Sequence, residues 1–213
     1  MGPQIDLQVN YEPINMERRD PAETQRRRLY EELMQDGAAD GKLRNIQVTD
    51  RGQISSMTMP AGFERGQTIG GTYANDSFQD YNLKSNADVK FYFDYRGSRM
   101  GAQSSRSFHD LLAKPAHALT AQELESMHQV LGANRSNKDD FKINSATTED
   151  LNGKRVLKIE GYYPKHGLNA RTIFVDTDGT SSAVQEITFQ APAAEFLKHK
   201  ANSDNAFKSI HWK

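Results

Sequence analysis

Four segments in the last third of the chain alternate apolar and polar residues, and this pattern constrains the fold more than any other feature. The segments are 141–145, 155–163, 170–176 and 183–190. Alternation with a period of two is typical of strands that bury one face. The pairs Asn152-Gly153 and Asp178-Gly179 lie between consecutive segments and favour the positive φ angles of tight hairpins. The pattern predicts a four-stranded antiparallel meander in which each strand lies beside the next.

Strands and helices are also predicted before this meander and after it. Apolar alternation indicates strands at 46–48, 54–59 and 89–95, while the Gly- and Asn-rich stretch 66–86 is predicted to be a loop with one strand near 69–73. A helical segment is predicted at 107–114, and Thr120 with Glu123 forms a capping box before a helix that ends at Gly132. Pro192 opens a short helix. This order predicts an α+β fold, an antiparallel sheet flanked by helices in an α-β-α sandwich.

The first 42 residues have a different pattern from the rest of the chain. Residues 1–15 are weakly patterned, and Asp20-Pro21 begins a highly charged helix that runs to about Gln35. We expect 1–42 to form an N-terminal helical arm and 43–213 to form one sandwich domain. A helix this polar could dock by a short stripe or join a second copy of the chain as a homo-oligomer.

Composition excludes several classes of function. The 27 basic and 28 acidic residues leave a net charge of -1, which attracts neither nucleic acid nor an anionic membrane. The chain has no cysteine, so disulfides, thiolate metal sites and cysteine nucleophiles are excluded. No apolar run is long enough for membrane insertion, and no signal peptide precedes Tyr11. The expected location is the cytoplasm, or outside the cell if a leader has been removed.

The segment 173–180 resembles the nucleophile motif of haloacid-dehalogenase-type phosphatases, because Asp176 and Asp178 follow a strand. Only 33 residues follow Thr180 and they contain no acidic pair, so we interpret the segment as a hairpin turn. A calcium loop starting at Asp176 would need Gly at its sixth position and Glu at its twelfth, and it has neither.

Other groupings of reactive side chains predict no catalytic residue, metal ligand or cofactor. Ser107, His109 and Asp110 are neighbours on one predicted helix and diverge in space, whereas a triad must converge. The six histidines show no metal-binding spacing.

One cluster of side chains predicts contact with a protein partner. Tyr162, Tyr163 and His166 lie at the end of a predicted strand, and Arg171 lies across the hairpin from them. Exposed aromatic and basic groups at such a position are typical of binding surfaces. The alternative is that one tyrosine belongs to the core while the other covers the sheet edge.

Several stretches together resemble the PsbP-like superfamily. The strand and the turn at 57–63, which contains Pro60, Gly62 and Phe63, are similar to the family's opening strand. The run 152–162 leads into 171–175, 186–189 and 207–210 in the family's order. The resemblance covers roughly residues 45–213. It implies the α-β-α sandwich shared by the photosystem extrinsic protein, DcrB-type bacterial proteins and a Ran-binding import factor. The family has no shared active site, and its members are mostly assembly factors, chaperones and adaptors.

The function expected from these observations is non-enzymatic: a binding, adaptor or assembly protein acting through a sheet edge or a helix-flanked cleft. One alternative is a hydrolase or metal-dependent enzyme whose site brings together Asp176, Asp178, His166 and Tyr162. Another alternative is an exported structural or surface protein.

Overall fold

A computed structural model describes residues 44–66, 78–98 and 100–213. The predicted arm at 1–42 and the predicted strand at 69–73 lie outside these residues. These residues contain ten strands, which are β1 Ile46–Arg51, β2 Ile54–Met59, β3 Phe63–Arg65, β4 Phe78–Leu83, β5 Asn86–Ser98, β6 Lys142–Leu151, β7 Lys154–Tyr163, β8 Leu168–Asp176, β9 Ala183–Pro192 and β10 His211–Trp212. The helices of the described part are α1 Ala102–Ala113, α2 Ala121–Ser126, α3 His128–Leu131, α4 Ala133–Ser136 and α5 Ala193–Lys208.

The strands form two antiparallel sheets. The larger sheet has seven strands in the order β3-β4-β5-β9-β8-β7-β6, and the smaller has three in the order β1-β2-β10. The predicted meander is confirmed: β6 to β9 are consecutive neighbours, and Ile173 on β8 lies opposite Ile187 on β9. Asn152 and Gly153 both adopt positive φ at the β6–β7 turn, as the sequence predicts.

The structure differs from the predicted elements at several points. Strand β4 lies in a stretch predicted to be a loop, and α1 begins five residues before the predicted helical segment. The predicted helix after Thr120 has its capping box but is interrupted at Met127, which separates α2 from α3. The short helix predicted after Pro192 extends for 16 residues as α5.

The seven-stranded sheet buries apolar side chains on both faces. On the face that we call the α5 face, Phe91 and Phe189 pack with Phe207 of α5 and with the small sheet. On the opposite face, which we call the α1 face, Leu157 and Phe174 pack beneath α1 and α3. The sheet therefore lies between two helical layers, and the predicted α+β class with an antiparallel sheet flanked by helices is confirmed.

A buried glutamine links the two sheets. Gln185 on β9 accepts a hydrogen bond from the backbone N–H of Gln53 at 2.7 Å and donates one to the carbonyl of Arg51 at 3.0 Å. Its side-chain oxygen would lie 2.5 Å from a Cβ at Gly52, where φ is +56°. The β1–β2 turn therefore requires glycine, both for its backbone angle and for the space that Gln185 occupies.

Candidate functional site

The α1 face of the seven-stranded sheet is divided between a helix-covered half and an open half. The apolar cluster beneath the helices draws its sheet residues from β7, β8 and β9, including Leu157, Phe174 and Val184, and none from β3, β4 or β5. On those three strands the side chains that point to the same side retain partial exposure. We call this surface the open half-face; its residues are Glu64, Phe78, Asp80, Asn82, Lys90, Tyr92 and Asp94.

The alternating sequence of β5 explains why this half is open. Val89, Phe91 and Phe93 are almost fully buried in the core on the α5 face. Lys90, Tyr92 and Asp94 alternate with them and so point to the α1 face. A strand with polar residues at every second position can leave one face in water without a hydrophobic cost.

A buried ion pair lies at the boundary between the two halves. We call this boundary the seam; its residues are Arg135, Glu186 and Tyr92. The Arg135 guanidinium, from α4, donates to Glu186 Oε2 on β9 at 2.5 Å and to the Tyr92 hydroxyl on β5 at 2.5 Å. It also reaches Thr188 Oγ1 at 3.2 Å and lies 5.7 Å from the centre of the Phe174 ring. Arg135 and Glu186 are 5% and 4% exposed, so both charges are removed from water and each depends on the other.

The seam keeps the Arg135 guanidinium charged and the nearby phenols neutral. Burial opposes the charge on Arg135, but the neighbouring Tyr92 and Glu186 outweigh it and hold the pKa of the guanidinium above its ordinary value. Burial raises the pKa of the Tyr92 phenol and raises that of Tyr163 to about 12. Both tyrosines therefore remain neutral at ordinary pH, and neither is poised to act as a base.

The open half-face combines an aromatic anchor with carboxylates. Phe78 is 38% exposed and stacks on Tyr92 with ring centres 5.9 Å apart. Glu64, Asp80 and Asp94 carry three negative charges, against one positive charge on Lys90. Lys84, beside the β4–β5 turn, lies 3.7 Å from Glu64. The surface therefore offers apolar area and a modest excess of negative charge.

The edges of the seven-stranded sheet offer little room for an added strand. Along β6, Leu119 donates its N–H to the carbonyl of Ala146 at 2.9 Å, and Thr148 donates to the carbonyl of His117 at 2.8 Å. A bulge interrupts β6 between Ile143 and Ser145. The opposite edge strand, β3, has three residues. Short, bulged or covered edges resist pairing with another chain, so the geometry favours the helix-flanked surface over the sheet edge.

The structure separates the four residues predicted to contact a partner. Tyr163 lies on the α1 face, with its ring 4.7 Å from Phe141 and 6.4 Å from His166. Tyr162, the next residue on β7, points to the α5 face and is 38% exposed. Of the four, the structure brings together only Tyr163 and His166.

Arg171 lies in the interior, and this corrects the expectation that it faces a partner. It is 4% exposed on the α5 face. Its Nε donates to Glu160 Oε1 at 2.7 Å, and its Nη1 pairs with Asp204 of α5. The guanidinium fastens α5 to the sheet and has no free surface to offer.

The residues of the alternative enzyme site do not converge. Asp176 ends the nine-residue strand β8, whereas Tyr162 pairs with Asn169 near the other end of β8 and His166 lies beyond that end. At roughly 3.3 Å per residue, about 26 Å separates the two ends. Asp176 Oδ1 accepts hydrogen bonds from the backbone N–H groups of Asp178, Gly179 and Ser181 at 3.1 Å each. The aspartate therefore shapes the turn, as the hairpin interpretation predicts.

The described part of the chain has neither a cluster of metal-ligating side chains nor a membrane-spanning helix. Over 44–66, 78–98 and 100–213, no three His, Cys, Asp or Glu side chains are grouped closely enough to hold a metal ion. In the same ranges no helix has both the length and the apolar character to span a membrane.

The sequence analysis did not identify the seam residues Arg135, Glu186 and Tyr92. Arg135 lies in the polar stretch 134–140, so nothing in the sequence marks it as buried. Glu186 does carry a signal, because it is a charge within the apolar strand β9. A buried carboxylate requires a cationic partner, but its identity follows only from the fold.

No family model and no curated protein matches the chain. Among solved structures it is similar to a putative regulator of unknown function, PA94 from Pseudomonas aeruginosa, at 14% identity and a TM-score of 0.46, covering 81% of this chain and 99% of that one. It is also similar to the cyanobacterial PsbP of Synechocystis, at 10% identity and a TM-score of 0.48, covering 83% and 96%.

A third similar structure is the Ran-binding protein Mog1p of Saccharomyces cerevisiae, at 11% identity and a TM-score of 0.43, covering 80% of this chain and 96% of that one. A PsbP and a Ran-binding protein are two of the kinds of protein that the sequence resemblance names. At such identities no functional residue is carried over to this chain.

Proposed function

We propose that this chain is a non-enzymatic adaptor or assembly protein that binds a protein partner on the open half-face. The observation that carries the proposal is the division of the α1 face: among residues 44–66, 78–98 and 100–213, helices cover its β7–β9 half and leave its β3–β5 half uncovered. Phe78 remains more than one-third exposed there, stacked on a tyrosine that the buried ion pair holds in place.

The dimensions of the open half-face suit a single polypeptide segment. Three strands at about 4.8 Å spacing span roughly 10 Å, which is the width of one α-helix with its side chains. A partner segment laid over β4 and β5 would continue the layer that α1 to α4 begin. Tyr163, which interacts with Tyr92, and His166 beside it would flank that segment at the β7–β8 turn.

The chemistry of the surface selects an amphipathic segment with basic side chains. An apolar or aromatic residue of the partner would cover Phe78 and Tyr92, since aromatic anchors supply most of the binding energy at interfaces. Lysine or arginine residues would meet Glu64, Asp80 and Asp94, which steer the encounter and set its orientation. Arg171 takes no part in this surface.

Site-specific photocrosslinking tests the proposal. The photoreactive residue p-benzoylphenylalanine is introduced at position 78, and as a matched control at position 197. Leu197 is 71% exposed on α5, which packs on the opposite face of the sheet. After irradiation in cells that make the protein, we expect a discrete crosslinked partner from position 78 and none from position 197.

Charge variants then test the chemistry of that contact. Asp80→Lys should lower the crosslink yield by about tenfold, and Lys90→Glu, on the neighbouring strand, should raise it. Equal labelling from positions 78 and 197, or labelling that is indifferent to both charge changes, would refute the open half-face as the binding surface.

A further inference from the structure

A groove lies away from the open half-face, between α1 and the loop that joins β8 to β9. Its volume is about 570 Å³, within the range of small-molecule sites. One wall is formed by Ala102, Ser105, Arg106 and His109, which share one face of α1, and the other includes Thr180 and Ser182. Nothing in the partner-binding proposal involves these residues.

The N-terminus of α1 contributes positive potential to the groove. The helix has 12 residues, no acidic side chain in its first turn and no side-chain cap at Gly101. Unpaired N–H groups and the helix dipole concentrate partial positive charge at such an end, where an anion is stabilised. Ala102, the first residue of the helix, lines the groove.

Ser105 is an independent indication of a ligand. It lines the groove although it is only 8% exposed, and its Oγ has no hydrogen-bond partner among the described residues. A buried hydroxyl without a partner is unfavourable, so a ligand oxygen that accepts its hydrogen bond would remove that cost.

The two ionisable side chains that line the groove, Arg106 and His109, are both basic. Arg106 is exposed on the groove wall and forms no ion pair with another residue in the described part of the chain. His109 lies one turn further along α1, also exposed. An arginine beside a helix N-terminus is suited to a planar or tetrahedral oxyanion, because its N–H groups can donate two parallel hydrogen bonds.

The acidic side chains of the opposite loop, Asp176 and Asp178, lie behind the wall of the groove and not in its lining. Both are bonded inside the loop. Asp178 accepts hydrogen bonds from Ser182 Oγ and from the backbone N–H of Thr180. Burial acts to raise the pKa of Asp178, but these hydrogen bonds outweigh it and hold the pKa well below its usual value.

We infer that this groove binds a phosphate group, with the α1 N-terminus and Arg106 neutralising its charge and Ser105 donating to one of its oxygens. The phosphate could be free or carried by a small organic molecule, whose apolar part would contact Met100. The inference is independent of the partner-binding proposal, since the two surfaces share no residue.

Amide chemical-shift titration of the full chain tests the inference, with inorganic phosphate and phenyl phosphate as separate probes. Saturable shifts at Ala102 to Arg106 and at Thr180 to Ser182 are expected below about 10 mM. If phenyl phosphate binds more tightly than inorganic phosphate, the natural ligand is an organic phosphate; equal affinities indicate free phosphate. Either result supports the site.

Two variants and a control separate the site from general anion attraction. Arg106→Gln should weaken phosphate binding by about tenfold, and Ser105→Ala by a smaller factor. Lys142→Gln, which removes an exposed cation from β6, should leave it unchanged. Shifts that do not saturate, that scatter over surface lysines, or that survive Arg106→Gln would show an adventitious ion only and overturn the inference.

Discussion

The two halves of the α1 face belong to one continuous sheet. They differ in the alternate residues that point to this face, which are apolar in one half and mostly polar in the other. In the covered half, β7 and β8 place Leu157, Ile159 and Phe174 on this face, and all three are fully buried beneath helices. In the open half, β4 and β5 place Asp80, Tyr92 and Asp94 at equivalent positions. Burying carboxylates under apolar helices would be costly, so the helical layer ends where the polar residues begin. The covered half therefore contributes buried apolar area to stability, and the open half is the surface that we propose binds a partner.

The largest expected contrast is between two phenylalanines on the same face. Phe174→Ala should lower the free energy of unfolding by about 4 kcal/mol, because it leaves a cavity beneath the helices. Phe78→Ala, which removes a partly exposed ring from the open half, should cost about 1 kcal/mol or less. Urea denaturation of both variants measures the difference. Similar losses would mean that the open half is as tightly packed as the covered one.

The seam between the halves provides the second test. Arg135→Met should lower the free energy of unfolding by about 3 kcal/mol, since it leaves the Glu186 carboxylate buried without its cation. Adding Glu186→Leu should recover most of that loss, because an apolar pair of similar volume needs no compensating charge. Thermal or urea denaturation of the single and double variants forms the cycle. A double variant as unstable as the single one would show that the seam is held by packing rather than by charge.

The smallest expected effect is a loss of local stability at low pH in α2, one of the helices of the covered half. Hydrogen bonds from Lys114 and from Thr120 lower the pKa of Glu123, in the capping box of α2, from 4.5 to about 2. A lowered carboxyl pKa stabilises the folded state above the unfolded value, and this stabilisation is lost as pH falls from about 4.5 through 2. The protection factors of the α2 amides, which are intrinsic exchange rates divided by the observed rates at the same pH, should therefore fall in that window.

Glu123→Gln is the matched control for this acid effect. The variant should show low protection at α2 at every pH and no additional loss of protection below about 4.5, since the amide does not titrate. Exchange in β4 and β5 should be the same in both proteins. An unchanged pH profile in the variant would show that another group governs the acid response.

Much of the fold could be predicted because its signals are local. The alternation in 155–163 and 183–190 and the Asn152-Gly153 pair predict β7, β9 and a tight hairpin, and each is found. Strand β4 was missed because its pattern is mixed: Phe78 is exposed while Gln79 is buried. Gln79 tolerates burial because Arg65 Nε donates to its side chain at 2.6 Å, a contact made across strands.

The candidate site was much less accessible to sequence reasoning. Tyr163 and His166 were singled out and are brought together, but Tyr162 and Arg171 point to the other face. The period of two along a strand separates adjacent residues, so neighbours such as Tyr162 and Tyr163 cannot share a surface. Nothing in the sequence around Arg171 distinguishes it from an exposed arginine. It is internal because α5 covers it and Asp204 of that helix pairs with it.

The amino-acid sequence by itself determined the fold class, the meander of β6 to β9 and the positions of the tight turns, because periodicity and turn chemistry act over a few residues. Only the tertiary structure decided that β9 pairs with β5, about 90 residues earlier in the chain. That pairing places Tyr92 beside Thr188 and brings Arg135 onto Glu186. It also leaves β4 and β5 beyond the helices. Long-range pairing depends on the burial of many side chains from distant parts of the chain, and this total cannot be estimated from any short stretch of sequence.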